Sequence, residues 1–183
     1  MLFSDEFNYN RPFSQKGKSV SNSIEDGYYY IEVLKKRRAV KVTYKMDIDE
    51  SKKFEIETSI TKISTSKTNG YGICFGFSDV KNYFCFIVNH RGEFKFFKKR
   101  NGKETEIIPW TESEYINIGV GSTNRLMIIK EGDELKFYSN GNLLAVNPFQ
   151  SFFGNMVGFK IHGKQKVAID YIRVTYSLNE QQN

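Results

Sequence analysis

Trp110, the only tryptophan of the chain, follows Pro109 in Glu106-Ile107-Ile108-Pro109-Trp110-Thr111, where a strand is expected to give way to a loop. Further rings stand near amides and a guanidinium: Tyr71, Tyr83 and Tyr138 at strand ends or on mixed faces, with Asn82, Asn89, Arg91 and Asn140 in loops and His90 at an expected hairpin turn. Rings stack on the apolar C–H faces of a polyhydroxylated ligand, while amides, carboxylates and guanidinium groups hydrogen-bond its hydroxyls. That is the chemistry of saccharide recognition, and the ligand-binding candidates are Trp110, Tyr71, Tyr83, Asn82, His90, Arg91, Tyr138 and Glu57. Tyr28-Tyr29-Tyr30 puts rings on both faces of one strand. For each ring the alternative is the core: 16 Phe and 11 Tyr must mostly fill the interior, and Trp110 could plug one end of it with its indole N–H on a carbonyl.

Constellations for making or breaking bonds are poorly supplied. Gly119-Val120-Gly121-Ser122 lacks the final glycine of a nucleophile elbow and any helix after it. His90 and His162 both stand near expected hairpin turns, where an exposed structural role is the plain reading. Gly70-Tyr71-Gly72 with Gly76 lies on a strand, so a phosphate would find no helix N-terminus there. Two cysteines and two histidines cannot assemble the usual zinc sets. Cys74 and Cys85 lie on neighbouring strands, where a disulfide is geometrically conceivable if they fall opposite each other, but their Phe and Ile surroundings favour buried thiols. Asp47-Ile48-Asp49-Glu50, the one dense carboxylate cluster, lacks the glycine and spaced oxygens of an EF-hand loop and reads as a cap on the turn before Phe54. No catalytic residue and no metal ligand is assigned.

These residues must be positioned by strands. Phe54, Ile56, Thr58 and Ile60 alternate with Glu55, Glu57, Ser59 and Thr61, the period of a half-buried strand. Related runs occupy 72–77, 83–88, 93–97, 126–129, 135–138, 157–161 and 168–174, some apolar on both faces, as strands in a two-sheet core can be. Turn dipeptides separate them, among them Asn69-Gly70, Asn101-Gly102 and Asn140-Gly141. No segment from Phe54 to Tyr176 carries a helical period, so helix is limited to one short turn near Pro148-Phe149-Gln150-Ser151. Pro12 to Gly27 reads as a polar surface loop ahead of the strand that Tyr28 opens. The pattern predicts an all-β, antiparallel protein with a single domain over 1–176 and a polar tail over 177–183, and it excludes alternating strand–helix enzymes.

The 183 residues are 39% hydrophobic and 26% charged, enough for one domain to bury about 70% of its unfolded surface. The excess of 27 Lys and Arg over 21 Asp and Glu gives +6, with clusters at Lys35-Lys36-Arg37-Arg38 and Lys98-Lys99-Arg100. Phe94-Lys95-Phe96-Phe97-Lys98-Lys99-Arg100 has the look of a nucleic-acid stripe, but a strand with alternate core residues and a solvated end explains it, and no nucleic-acid partner is expected. Membrane insertion is not expected either, because no apolar run approaches the roughly 18 residues of a spanning helix. The start has no basic region followed by an apolar one, so the expected location is cytoplasmic, or extracellular or surface if a leader has been removed.

Phe3-Ser4-Asp5-Glu6-Phe7, Phe54-Glu55-Ile56-Glu57, Gly70-Tyr71-Gly72-Ile73-Cys74-Phe75-Gly76, Leu135-Lys136-Phe137-Tyr138-Ser139-Asn140-Gly141-Asn142-Leu143-Leu144, and Gly158-Phe159 through Asp170-Tyr171-Ile172-Arg173-Val174 follow one another in a familiar order. Together they resemble the concanavalin A-like lectin/glucanase superfamily, with a closer likeness to bacterial laminin G-like and 3-keto-disaccharide hydrolase-like jelly-roll domains over nearly the whole chain. The resemblance implies two curved antiparallel sheets in a jelly-roll sandwich, with first and last strands adjacent and Phe3 and Phe7 beside Ile172 and Val174. Glucanases of the superfamily carry Glu-x-Asp-x-(x)-Glu on one strand. Here Glu55 and Glu57 share a face, but Ser59 or Ile60 replaces the second glutamate, leaving no proton donor for a retaining mechanism. Many lectins of this fold hold calcium, and a laminin G-like calcium site would use scattered ligands, so calcium is the one cofactor left open.

The expectation is therefore a non-catalytic recognition module that binds carbohydrate through a concave sheet face. The alternatives are a protein-interaction or assembly module using the same face or an edge strand, and a glycoside hydrolase using Glu55 or Glu57.

Overall fold

The structure is a computed structural model that describes residues 1–8, 13–36, 39–64 and 70–176. Its elements are all strands: β1 (Phe3–Asp5), β2 (Phe13–Lys16), β3 (Val20–Glu25), β4 (Tyr28–Val33), β5 (Ala39–Lys45), β6 (Phe54–Lys62), β7 (Tyr71–Asp79), β8 (Asn82–Val88), β9 (Glu93–Arg100), β10 (Lys103–Glu112), β11 (Thr123–Glu131), β12 (Glu134–Ser139), β13 (Asn142–Pro148), β14 (Met156–His162) and β15 (Gln165–Tyr176). One sheet runs β13-β12-β11-β6-β15-β4-β3-β2, with β1 on the second half of β15; the other runs β10-β9-β8-β7-β14-β5. Every ladder is antiparallel. The fold is a two-sheet, concanavalin-like jelly-roll sandwich.

Side-chain alternation makes the core. Phe54, Ile56, Thr58 and Ile60 of β6 point into it with Leu126 and Ile128 of β11, Leu135 and Phe137 of β12, and Ile31 and Val33 of β4. From the second sheet Ile73, Phe75, Phe84, Phe86, Phe94, Phe96 and Phe159 meet them, and Phe96 and Phe137 join the layers with ring centroids 4.5 Å apart. Two-residue turns at Asn101-Gly102 and Asn140-Gly141 place both residues at positive φ, the geometry that closes a twisted hairpin. First and last strands are adjacent, with Phe3 opposite Val174 and Asp5 opposite Ile172.

Four local expectations are corrected. Residues 149–152 form no helical turn, because the Phe149 N–H bonds the Asp133 carbonyl and Phe149 and Phe152 press their rings against the core, 5.6 Å apart. The described part of the expected loop before Gly27 holds the β2–β3 hairpin, whose Ser and Asn residues suit a sheet edge. Phe7, at φ 51°, is not carried by the β1–β15 ladder, and its ring packs on Tyr29 and Phe159 at 5.4 and 6.5 Å. Trp110 lies within a strand, not beyond one. Pro109 is tolerated there because β10 is an edge strand, with its register broken between Ile108 and Thr111. Asn69, Arg37, Arg38 and the polar tail over 177–183 lie outside the described residues.

Candidate functional site

Residues on both sides of β7, β8 and β9 are buried, although only one side meets the other sheet. On the outer side Cys74, Phe77, Tyr83, Cys85, Ile87 and Phe97 form a second apolar cluster, with Met156 against it. No described strand packs across this side. Its cover is lysine. The Lys41 ammonium stands 4.8 Å from the Tyr83 ring centre, Lys160 stands 5.6 Å from Tyr83 and 4.2 Å from Phe97, and Lys95 stands 5.0 Å from Phe97. Cations and rings thus alternate across β5, β8, β14 and β9, with the aliphatic stems covering apolar surface and the heads at its rim.

The sheet curls toward this side. β10 is separated from β7 by β9 and β8, which on a flat sheet is about 14 Å, farther than an indole reaches. Yet a Cβ placed on Gly70, just ahead of β7, would meet Trp110 Cη2 at 3.0 Å and Ile87 Cδ1 at 2.8 Å. Two outward positions must also be glycine: a Cβ on Gly158 would meet the Val42 carbonyl oxygen at 1.8 Å, and one on Gly72 the Phe86 carbonyl oxygen at 2.3 Å. The outer side of β10–β5 is therefore a concave face, with the indole of Trp110, 36% exposed, closing one end.

Polar groups stand by Gly70 and Ile87, at the indole end of the face. The His162 N–H bonds the Gly70 carbonyl at 3.0 Å, and Lys95 sits opposite Ile87 across the β8–β9 ladder. Lys95 donates to Glu104 at 2.9 Å and Glu106 at 2.6 Å. Burial pushes the Lys95 ammonium toward losing its proton, but its hydrogen bonds to Glu106 and Glu104 outweigh that and hold its pKa above the ordinary lysine value. Burial, with Lys160 nearby, lowers His162. Burial first and Lys160 second lower Lys41. Cys74 and Cys85 lie directly opposite each other as free, buried thiols, and burial and the hydrogen bond to Cys85 push the Cys74 thiol well up.

The eight sequence candidates do not converge. Trp110 and Tyr83 share the concave face, but Tyr83 is 2% exposed beneath Lys41 and Lys160, so it is floor and not a stacking surface. Tyr71 points into the core, where its hydroxyl accepts from the Asn124 amide at 3.0 Å. Asn82 is spent in the β7–β8 turn, donating to Asp79 and accepting from the Asn101 N–H. Tyr138 and Glu57 lie on the outer side of the other sheet, where Glu57 accepts from the Tyr171 hydroxyl. His90 and Arg91 are in the β8–β9 turn, and Arg91 lines an open hollow of about 1110 Å³ with Glu112, Ser113 and Tyr115. Asp47, Asp49 and Glu50 are engaged with Asn155, Ser51 and the Phe152 N–H, and among the described residues no three carboxylate, histidine or cysteine groups gather for a metal. Lys41, Lys160, His162, Glu104 and Glu106 were not among the candidates. Their signal was adjacent strands apolar on both faces with no helix to cover the second one.

No model of a known protein family matches the sequence, and no curated protein matches it. Solved structures do share the fold. The carbohydrate binding module CBM66 from Bacillus subtilis aligns over 93% of this chain and 94% of its own, with 18% identity and a TM-score of 0.58. The catalytic domain of an endo-1,3-beta-glucanase (laminarinase) from Thermotoga petrophila aligns over 98% of each chain, with 13% identity and a TM-score of 0.60. Sheep galectin-11, in complex with glycerol, aligns over 78% of this chain and 99% of its own, with 11% identity and a TM-score of 0.54. Two longer chains are spanned over 38% and 39% of their lengths. At these identities the likeness is one of fold.

Proposed function

We propose that the protein is a carbohydrate-binding module that holds a saccharide on the concave face of the β10–β5 sheet without making or breaking bonds. The observation that carries this reading is the placement of Trp110, a partly exposed indole over Gly70 at one end of that face, where the His162 N–H bonds the Gly70 carbonyl and Lys95, opposite Ile87, is paired with Glu104 and Glu106. A pyranose C–H face stacks on the indole while the ammonium and carboxylates take its hydroxyls. The packed floor of Tyr83 and Phe97 under lysine stems keeps the surface preformed, which lowers the ordering cost of binding. The fold is shared by binding modules, a galectin and hydrolases, so the fold does not choose among them.

A non-catalytic role is supported by where the carboxylates lie. Glu55 and Glu57 are on the outer side of the other sheet, away from Trp110. Glu104 and Glu106 are both drawn to one ammonium. A glycan array with the purified protein, with calcium and with chelator, followed by calorimetry on each hit, tests the reading. Saturable binding lost in Trp110→Ala is expected. A blank array, binding retained in Trp110→Ala, or new reducing ends released from the hit would overturn it. A protein-contact role has one observation in its favour: Tyr115, Ile118 and Val120 are 42%, 63% and 61% exposed on one loop beside the Arg91 hollow. Ile118→Ser should leave glycan binding unchanged if the concave face is the site.

A further inference from the structure

The concave face carries more positive charge than its own carboxylates neutralise. Lys95 is paired with Glu104 and Glu106. Lys41 and Lys160 have no ion-pair partner among the described residues, and their ammoniums stand over the Tyr83 and Phe97 rings. Lys99 lies opposite Tyr83 on the neighbouring strand and is close enough to Lys41 to push its ammonium toward deprotonation. Lys160 is 8% exposed, so its side chain is packed against the Tyr83 and Phe97 rings and not swept through solvent.

Resting on the carbohydrate reading above, we infer that the ligand of this face is an anionic saccharide whose carboxylate or sulfate groups are received by Lys160 and Lys41, with a sugar ring against Trp110. Several observations converge on it. The two unpaired ammoniums share the Tyr83 ring, so they bracket one anionic group from β5 and β14. An ammonium over an aromatic face is partly stripped of water and fixed in position, so an arriving anion gains a charge-assisted hydrogen bond with little ordering left to do. Burial first and the repulsion of Lys160 second lower Lys41, and the opposite charge of an arriving anion offsets both. The Glu104–Lys95–Glu106 cluster at the β10 edge places negative charge at the Trp110 side and leaves the positive charge toward β14 and β5, so the acidic group is oriented away from the indole. A neutral glycan would leave the two ammoniums unmatched.

The test is calorimetry with the whole protein against two acidic probes, oligogalacturonate for the carboxylate and heparin-derived oligosaccharides for the sulfate, and against neutral laminarin, xylan and galactan oligosaccharides. The variants are Lys160→Met and Lys41→Met, which keep the aliphatic cover of Tyr83 and Phe97, with Lys52→Met on an exposed loop as the charge control. Near-ultraviolet circular dichroism and melting temperature verify that each variant is folded. The expected result is binding of one acidic probe, weakened about tenfold in Lys160→Met and in Lys41→Met, unchanged in Lys52→Met, and weakened by added salt. The probe that binds identifies carboxylate or sulfate. Neutral oligosaccharides that bind equally well in wild type and in both lysine variants would overturn the anionic inference and leave the carbohydrate reading standing. Equal loss in all three variants would mean unspecific charge attraction and would overturn it too. Absence of binding to every probe would overturn both.

Discussion

Lys62 ends β6 pointing into the sandwich, 1% exposed, and its ammonium has no hydrogen-bond partner among the described residues. Burial lowers its pKa. A buried, unpaired charge costs more than the apolar group of the same shape that could replace it, so Lys62→Met is expected to stabilise the protein by about 1 kcal/mol. Urea unfolding measures this, and a lower midpoint in the variant would show that the ammonium is paired. Because the folded-state value is depressed, the penalty is fully present below that value. It is relieved as pH rises through that value toward the ordinary lysine value of about 10.4, and there the gap between wild type and variant should close. Cys74 and Cys85 give a second residue-scale prediction. Both are 0% exposed, and burial raises the Cys74 thiol, so neither should react with a thiol reagent until the protein unfolds. Fast labelling of the native protein would contradict the packing of the outer cluster.

At the scale of elements, glycine decides how sharply the second sheet can curl. Gly158 and Gly119 separate space from conformation: a Cβ on Gly158 would drive into the Val42 carbonyl at 1.8 Å, whereas Gly119, at φ +100°, has nothing within 4 Å. Gly158→Ala should cost about 3 kcal/mol and Gly119→Ala about 1 kcal/mol, the second from backbone conformation alone. Equal melting-temperature losses would mean that close approach of β14 and β5 is not what the glycine serves. The same elements show what was legible beforehand. β6 could be read because Phe54, Ile56 and Ile60 alternate with Glu55, Glu57, Ser59 and Thr61. β2 and β3 could not, since edge strands rich in Ser and Asn look like loops. β10 was obscured by Pro109, which ends an interior strand but not an edge one. The concave face was only half legible: the rings on it were visible as rings, but strands apolar on both sides fit equally well inside a sandwich. Lys41 and Lys160 fell into the background of surface charge, because nothing local marks a lysine whose stem lies over a ring from another strand.

At the scale of the molecule, carboxylates tie together parts of the chain far apart in sequence, and they do so mostly on the first sheet. Glu131 accepts from Lys136 and from Lys53, each at 2.6 Å, and these hydrogen bonds hold its carboxyl down at about 2. Glu6, just past β1, takes a forked pair of hydrogen bonds from Arg173 on β15 at 2.7 and 2.8 Å, joining the two ends of the described chain, and is lowered by that arginine first and by Ser4 second. Asp79 and Asp49 are lowered by turn hydrogen bonds from Lys81 and Ser51. A carboxylate whose folded-state pKa is depressed contributes stability that is fully present above its unfolded value, about 4.3 for glutamate, and that is lost as pH falls through the folded value. The melting temperature should therefore be level from neutral pH to about 5 and fall most steeply between about 4 and 2. Glu131→Gln should melt lower than wild type at pH 7, lose less on acidification, and meet the wild-type curve near pH 2. Since Glu131 and its lysines are solvent-accessible, that difference should also shrink as salt is added. Equal melting temperatures at pH 7 and low salt would mean that solvent already screens the Lys53–Glu131–Lys136 bridge. The acid transition would then fall to the other lowered carboxylates, and the share of the Glu6–Arg173 closure of β1 on β15 is what Glu6→Gln would expose by the same comparison.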